Sequence, residues 1–342
     1  MEYRLLGASG LAVSRLCLGT MTFGSETDEA GSHAQLDAFV DAGGTFIDTA
    51  DVYSGGASEE IIGRWLAARP GARERVVLAT KGRFPMGDGP NALGLSRKHL
   101  AEALDASLRR LGVEAVDLYQ LHSFDPLTPL DETLRFLDDA VAAGKIHYWG
   151  LSNFLGYQIA TIVERTRAGG LARPVSLQPQ YNLLTRHIEL EVLPAALEGG
   201  LGLMPWGPLA GGWLTGKYSR DARPTGSTRL GENENRGMEA YDRRNTDATW
   251  RVLDELRRVA DGARLTMAQA ALAWVADRPG VTAPILGART VQQLAGSLAI
   301  ADVHLDAAAR AALDAVSAPE LPDYPYGELG IEQRSRALSG RR

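Results

Sequence analysis

The sequence predicts a (β/α)8 barrel, on two observations. Eight short apolar runs recur along almost the whole chain, each followed by a longer helical pattern, and five successive runs end in ionisable or amide side chains. The runs lie near 16–19, 45–48, 76–80, 116–121, 148–151, 175–178, 202–205 and 282–286. They are bounded by Gly, Pro or charged residues, which suits strands buried on both faces of a parallel sheet. Between them, Leu100, Leu104, Leu108 and Leu111 stripe one predicted helix, with Ser96 placed to cap its start and Gly112 to end it. Leu134, Leu137 and Val141 stripe another, ended by Gly144. Right-handed crossovers would close such a series into a barrel.

Strand starts recur about every 30 residues until the last pair, where about 80 intervene, far more than an ordinary connection. That interval holds a polar stretch, 219–245, expected as a long mobile loop. Two helical patterns follow at 247–260 and 267–277, expected as barrel wall plus an insertion. At the front, 3–6 and 11–14 flank Gly7–Gly10 as a hairpin fit to plug the barrel floor. No repeat or internal linker breaks the pattern. The expectation is one domain over 1–342, with its core at about 15–315 and a tail at 318–342.

Composition narrows the function classes. A formal net charge of -6 argues against a nucleic-acid surface. Cys17 is the single cysteine, so no internal disulfide or multi-cysteine metal site can form, and a reducing, cytoplasmic setting fits. No run is long and apolar enough to span a bilayer, and the first residues lack the apolar core of a signal peptide. The six histidines are scattered without metal-ligand spacing, so no metal is expected. Nothing indicates an oligomeric state.

The second run ends in Asp48 and leads to Tyr53; the third ends at Lys81, the fourth at His122, the fifth at Ser152 and Asn153, and the sixth at Gln178. Each alone would pass for a solvated rim charge or a satisfied imidazole; together they can move a proton. A tyrosine is a weak acid at neutral pH. Lys81 nearby would lower its pKa, Asp48 would keep Lys81 charged and oriented, and His122 would position a substrate oxygen.

Several stretches in order resemble the aldo-keto reductases of bacteria: 1–11 with Leu18-Gly19-Thr20-Met21, Phe46–Ala50 with Tyr53, Ser58–Gly63, Asp117–His122, and Gly150–Phe154. The likeness continues through Gln178, Tyr181-Asn182, Pro208-Leu209, Gly216–Tyr218 and Gly287-Ala288-Arg289, covering about 1–315. It implies an Asp48, Tyr53, Lys81, His122 tetrad that reduces an aldehyde or ketone reversibly, with Tyr53 as general acid. It also implies NADP(H) lying across the barrel mouth, without the Rossmann glycine fingerprint that this sequence lacks.

By the same resemblance Gly19, Thr20, Met21 and Asp48 border the cofactor, Ser152, Asn153 and Gln178 hold its carboxamide, and Trp206 stacks on the nicotinamide. Gly207-Pro208-Leu209-Ala210-Gly211 and Lys217 match the pyrophosphate segment. Gly287, Arg289 and Gln293 match the adenosine end, where a guanidinium at a helix start favours a 2′-phosphate. Many relatives carry Glu and Asn where this chain has Gly296 and Ser297, so looser adenine binding or some NAD tolerance is expected.

Met21, Phe23, Phe84 and Trp149 are candidate walls of the substrate pocket, with 219–245 and the aromatics of Pro322–Tyr326 over the mouth. The resemblance implies small or aromatic aldehydes by default, with sugar-derived or antibiotic-pathway ketones as the alternatives. Two other classes compete. A barrel glycosidase needs paired carboxylates, and no acid ends the fourth or sixth run to partner Asp48 or Asp51. A cofactor-binding, partner-regulating subunit, known among such barrels, could dispense with His122, which is present here.

Overall fold

The computed structural model describes residues 1–226, 228–233 and 237–327. Two short antiparallel strands come first, β1 (Tyr3–Leu5) and β2 (Ala12–Ser14). Eight parallel strands follow: β3 (Cys17–Gly19), β4 (Phe46–Asp48), β5 (Val77–Gly82), β6 (Val116–Leu121), β7 (Ile146–Ser152), β8 (Ser176–Gln178), β9 (Gly202–Leu203) and β10 (Ile285–Leu286). They run in the order β10-β3-β4-β5-β6-β7-β8-β9. The ring closes where Thr282 N donates to Leu203 O at 2.8 Å and Ile285 N to Pro205 O at 2.8 Å. This is the expected (β/α)8 barrel. The last two strands are shorter than the apolar runs because Pro205 and Pro284, which lack an amide hydrogen, interrupt the ladder.

Alternation along each strand sorts the side chains into two cores. Cys17, Phe46, Ala79, Leu118 and Met204 point into the barrel with Leu6 and Val13 of the hairpin, so the hairpin does close the floor. Leu18, Ile47, Leu78, Tyr119, Leu151 and Leu177 point outward and pack under the helices. Gly7 makes the plug possible. It has φ +59, and a Cβ there would lie 2.4 Å from Gly200 O.

The helices obey their sequence signals. Ser96 Oγ accepts from His99 N to cap the helix Arg97–Leu111, and Gly112 ends it. The polar stretch 219–245 departs from expectation. Its described residues form short helical turns at Arg229–Glu232, Gly237–Glu239 and Tyr241–Arg244. Buried Tyr241 stacks on Trp213 at 5.6 Å, and Arg244 donates to Leu184 O at 2.7 Å. Two anchors therefore pin a segment whose composition reads as loop. The helices Asp247–Ala263 and Met267–Ala276 follow. In the tail, Tyr324 is exposed and the Tyr326 hydroxyl bonds Glu191. Residues 328–342, like 227 and 234–236, lie outside the described residues.

Fully buried Arg15 ties the chain's two ends together. It donates to Ile300 O at 2.8 Å, Ala301 O at 3.1 Å, Val303 O at 2.9 Å and Asp277 Oδ1 at 2.9 Å. Arg15→Leu leaves a buried carboxylate and three carbonyls short of a donor, at an expected cost of about 3 kcal/mol. A clearly lower urea midpoint checks this; an unchanged midpoint would show that the ends dock without it.

Candidate active site

Asp48, Lys81, Gln120 and Gln178 share the inward parity of their strands, one layer above the apolar filling, at the C-terminal rim. Lys81 Nζ donates to Asp48 Oδ2 at 2.6 Å, Thr49 O at 2.8 Å and Tyr53 Oη at 3.0 Å. Asp48 Oδ1 accepts from Gln120 Nε2 at 2.9 Å and Gln178 Nε2 at 3.0 Å. Burial disfavours the Lys81 ammonium, but Asp48 and Tyr53 outweigh it and hold the pKa above the ordinary lysine value. Lys81 is therefore a fixed positive charge.

The Tyr53 hydroxyl departs from expectation. Burial raises its pKa, and Asp48 adds to that, so the net shift is upward although Lys81 pulls the other way as expected. The phenol stays protonated, as a proton donor must. His122, whose ring centroid is 5.8 Å from that of Tyr53 and 4.6 Å from that of Phe84, is pulled down to about 2 by burial and by Lys81 and Arg83. Its neutral ring makes no side-chain hydrogen bond among the described residues, and its Nδ1 is buried. The four tetrad residues are thus brought together.

The expected cofactor residues line the same rim. Gly19 ends β3, Thr20 spends its hydroxyl on Asp48 O at 3.1 Å, and Met21 stands exposed. Ser152 Oγ donates to Gln178 O at 3.0 Å. Asn153, at φ 60, donates to His122 O at 3.1 Å and accepts from Trp206 Nε1 at 2.9 Å. Asparagine is among the few residues that adopt that backbone readily. These bonds lock β7, β8 and the turn after β9 into one platform.

Beyond it, Gly207, Ala210, Gly211 and Gly212 all have positive φ, and Asn182 Nδ2 donates to Gly207 O at 2.8 Å. Pro208 is buried and Leu209 partly so. Lys217 has no ion pair among the described residues; partial burial and then the charges of Arg289 and Arg229 lower its pKa. An unpaired lysine over a glycine-rich turn fits a phosphate-bearing cofactor. Arg289, two residues after Gly287, is held by Glu26 at 2.8 Å and Glu232 at 2.7 Å. Gln293 Oε1 accepts from Arg289 N at 2.9 Å, so its amide oxygen braces the turn. Gly296 O takes a bond from Gln269, and Ser297 Oγ donates to Gln293 O.

The aldo/keto reductase family model matches residues 15–318. An oxidoreductase of Bacillus subtilis (strain 168), YrpG, is 40% identical over 318 residues, covering 90% of this chain and 93% of that protein. A probable voltage-gated potassium channel subunit beta of Oryza sativa subsp. japonica is 39% identical over 305 residues, 89% of this chain and 92% of that one. Versiconal hemiacetal acetate reductase of Aspergillus parasiticus is 36% identical over 330 residues, 89% and 94% respectively. The chain belongs to the aldo/keto reductase family.

This aldo/keto reductase is an oxidoreductase enzyme, and nicotinamide-dependent carbonyl chemistry is the family's general activity. Two substrate-wall expectations need correction. Phe23 is fully buried in the outer core. Trp149 has outward parity on β7, so it packs under the helices and donates to Ala172 O at 3.0 Å. Met21 and Phe84 do stand at the rim. A groove of about 830 Å³ opens elsewhere, beside Thr45, Val76, Val77 and His147 near the strands' opposite ends, and holds none of the tetrad. Among the described residues no His, Cys, Asp and Glu cluster could hold a metal, and no helix is long and apolar enough to cross a membrane.

Sequence reasoning missed Gln120, whose signal was an amide at inward parity in the apolar strand β6. It weighed Asp51 only as a glycosidase carboxylate. Neither carboxylate oxygen of Asp51 makes a well-aligned hydrogen bond among the described residues, although the Val52 amide lies close enough to favour its charged form. Burial, and then the Glu59 carboxylate, push its pKa up to about 7 against the Val52 amide, Arg110 and Lys81. An unfolded Asp titrates near pH 4, so the folded chain keeps this proton to higher pH than the unfolded chain does. Asp51 therefore costs stability progressively as pH rises from about 4 to 7, by at most about 1.4 kcal/mol per pH unit. Asp51→Asn should gain on the wild type across that window in urea midpoints. A gap that stays constant with pH would show Asp51 ionised throughout.

Proposed function

We propose that this aldo/keto reductase reduces an aldehyde or ketone to an alcohol with NADPH, reversibly. The observation that carries the reading is the buried Asp48–Lys81–Tyr53 relay, with neutral His122 beside the phenol. The bound nicotinamide supplies the hydride. Tyr53 Oη gives its proton to the carbonyl oxygen as that oxygen becomes negative, and the phenolate left behind lies 3.0 Å from the Lys81 ammonium. Asp48 keeps that ammonium in place, and Gln120 and Gln178 keep Asp48 in place. Because His122 is neutral, one ring nitrogen can donate to the substrate oxygen without competing with Tyr53 as an acid.

For the far end of the cofactor, Lys217 and Arg289 are the groups suited to phosphates, which favours NADP over NAD. A 2′-phosphate would compete with Glu232 for Arg289. The single buried thiol, Cys17, suits a cytoplasmic enzyme. A second reading, a partner-regulating subunit, draws on the relatives named as potassium channel beta subunits. The complete tetrad supports turnover instead.

Loss of NADPH absorbance with a panel of aldehydes tests the main reading. Tyr53→Phe should cost about a hundredfold or more in kcat while NADPH binding, read by fluorescence, is retained. Normal turnover by Tyr53→Phe would remove its proton-donor role. Tight NADPH binding with no carbonyl reduced by the wild type would favour the regulatory reading. Arg289→Ala should narrow the preference for NADPH over NADH by about tenfold, the worth of one charged hydrogen bond. Equal kcat/KM for the two cofactors in the wild type would end the NADP assignment.

A further inference from the structure

Arg83 sits two residues past Lys81, where β5 has just left the barrel. Among the described residues its side chain makes no ion pair and no hydrogen bond, and its Nε is buried without an acceptor. The backbone does hold it in place: Gly94 N donates to Arg83 O at 2.8 Å, and the guanidinium carbon lies 5.2 Å from the centroid of the Phe84 ring. That same ring lies against His122 at 4.6 Å. Arg83 also lowers the pKa of His122, after burial and Lys81, so its charge is felt at the reacting end of the site.

The Asp125 carboxyl, whose pKa burial raises and its Thr128, Leu127 and Leu95 bonds and then the Arg83 charge lower, makes no ion pair with Arg83 among the described residues. Asp125 is committed to its own loop, accepting from Leu95 N at 2.9 Å, Leu127 N at 3.0 Å and Thr128 Oγ1 at 2.6 Å. An Nε that gives up solvent without gaining an acceptor costs the fold, and an acceptor arriving with a ligand would offset that cost. Topology says which ligand. In the order β10-β3-β4-β5-β6-β7-β8-β9, β5 stands four places from β9 and three from β10. The turn after β9 with Lys217, and Arg289 after β10, therefore serve the cofactor's phosphates on the far side of the mouth. Arg83 is left to the substrate. Exposed Met86 and Leu93 on its own loop, and Leu127 on the loop after β6, offer apolar surface around it.

We propose that Arg83 is a specificity-determining residue that binds a carboxylate on the carbonyl substrate, so that the preferred substrates are aldehydes carrying an anionic group on an apolar body. The inference rests on the reductase reading above. A guanidinium pairs with a carboxylate through two parallel N–H···O bonds, which fixes the body of the substrate while His122 and Tyr53 meet its oxygen.

The test compares kcat/KM for 3-formylbenzoate and 4-formylbenzoate with that for benzaldehyde, with methyl 4-formylbenzoate as the uncharged control of similar size. Expected is a ratio of about tenfold or more for at least one formylbenzoate over benzaldehyde, not shared by the ester. Arg83→Met should bring the ratio close to one, and Arg83→Lys should restore part of it. A ratio is insensitive to the fraction folded, so a poorly folding variant still reports. Benzaldehyde and formylbenzoates reduced equally well by the wild type would overturn the proposal and leave the reductase reading standing. A high ratio that survives Arg83→Met would overturn the assignment to Arg83. No reduction of any of the four aldehydes would count against both.

Discussion

The structure turns on one interaction, the buried ion pair of Lys81 and Asp48. Two charges taken out of water cost several kcal/mol each unless their remaining bonds are filled. Here they are filled. The ammonium has Asp48, Thr49 O and Tyr53 Oη, and the second carboxylate oxygen has two amide donors from β6 and β8. The pair is rigid because five strand ends and turns converge on it. Its rigidity is what gives Tyr53 a defined electrostatic environment. With a loose lysine, the cost of burying a phenolate would be unanswered at the moment the proton leaves.

The barrel makes this convergence possible through parity. Side chains alternate inward and outward, so Asp48, Lys81, Gln120 and Gln178 enter one layer only because their strands align with Asp48 against Ala79 and Lys81 against Gln120. A slip of one residue in β4, β5 or β6 would turn Asp48, Lys81 or Gln120 into the helical shell and bring Ile47, Thr80 or Tyr119 inside. Below that layer the interior is apolar and stoppered by the hairpin. Water can therefore reach the relay only from the rim, the side on which substrate must arrive. The polar stretch that closes the ring before β10 contributes to the same rim through Glu232, which reaches Arg289.

Much of this was legible in the sequence because the carriers are local. Short apolar runs, a capping serine and stop glycines each act within a few residues, and all eight strands, the hairpin and the helix limits at Ser96 and Gly112 follow from them. The tetrad was legible because its members stand at run ends. What escaped needed three dimensions. Trp149 and Phe23 read as pocket walls until parity and burial sent them into the outer core. The upward shift of Tyr53 needed its burial, which outweighs the lysine that the sequence does display. The anchoring of 219–245 depends on Tyr241 meeting Trp213, two aromatics whose contact no periodicity announces.

A chain with a net charge of -6 nonetheless presents cations at its working rim, and the chemistry explains why. Every species expected there gains or carries negative charge: cofactor phosphates, a carbonyl oxygen that turns negative as hydride reaches its carbon, a phenol giving up its proton. Acidic residues near the rim are correspondingly engaged. Asp48 is tied to Lys81, Glu26 and Glu232 to Arg289, and Asp125 to the backbone of its own loop. Asp51 is the exception, a carboxyl beside the relay with no cation bonded to it among the described residues. Burial resolves it by holding the proton up to about pH 7, so that the group is largely neutral where a charge would work against Tyr53. The local field is thus set as much by which acids are silenced as by which bases are present. In that field an unanswered arginine beside His122 adds to the positive potential until an anion meets it.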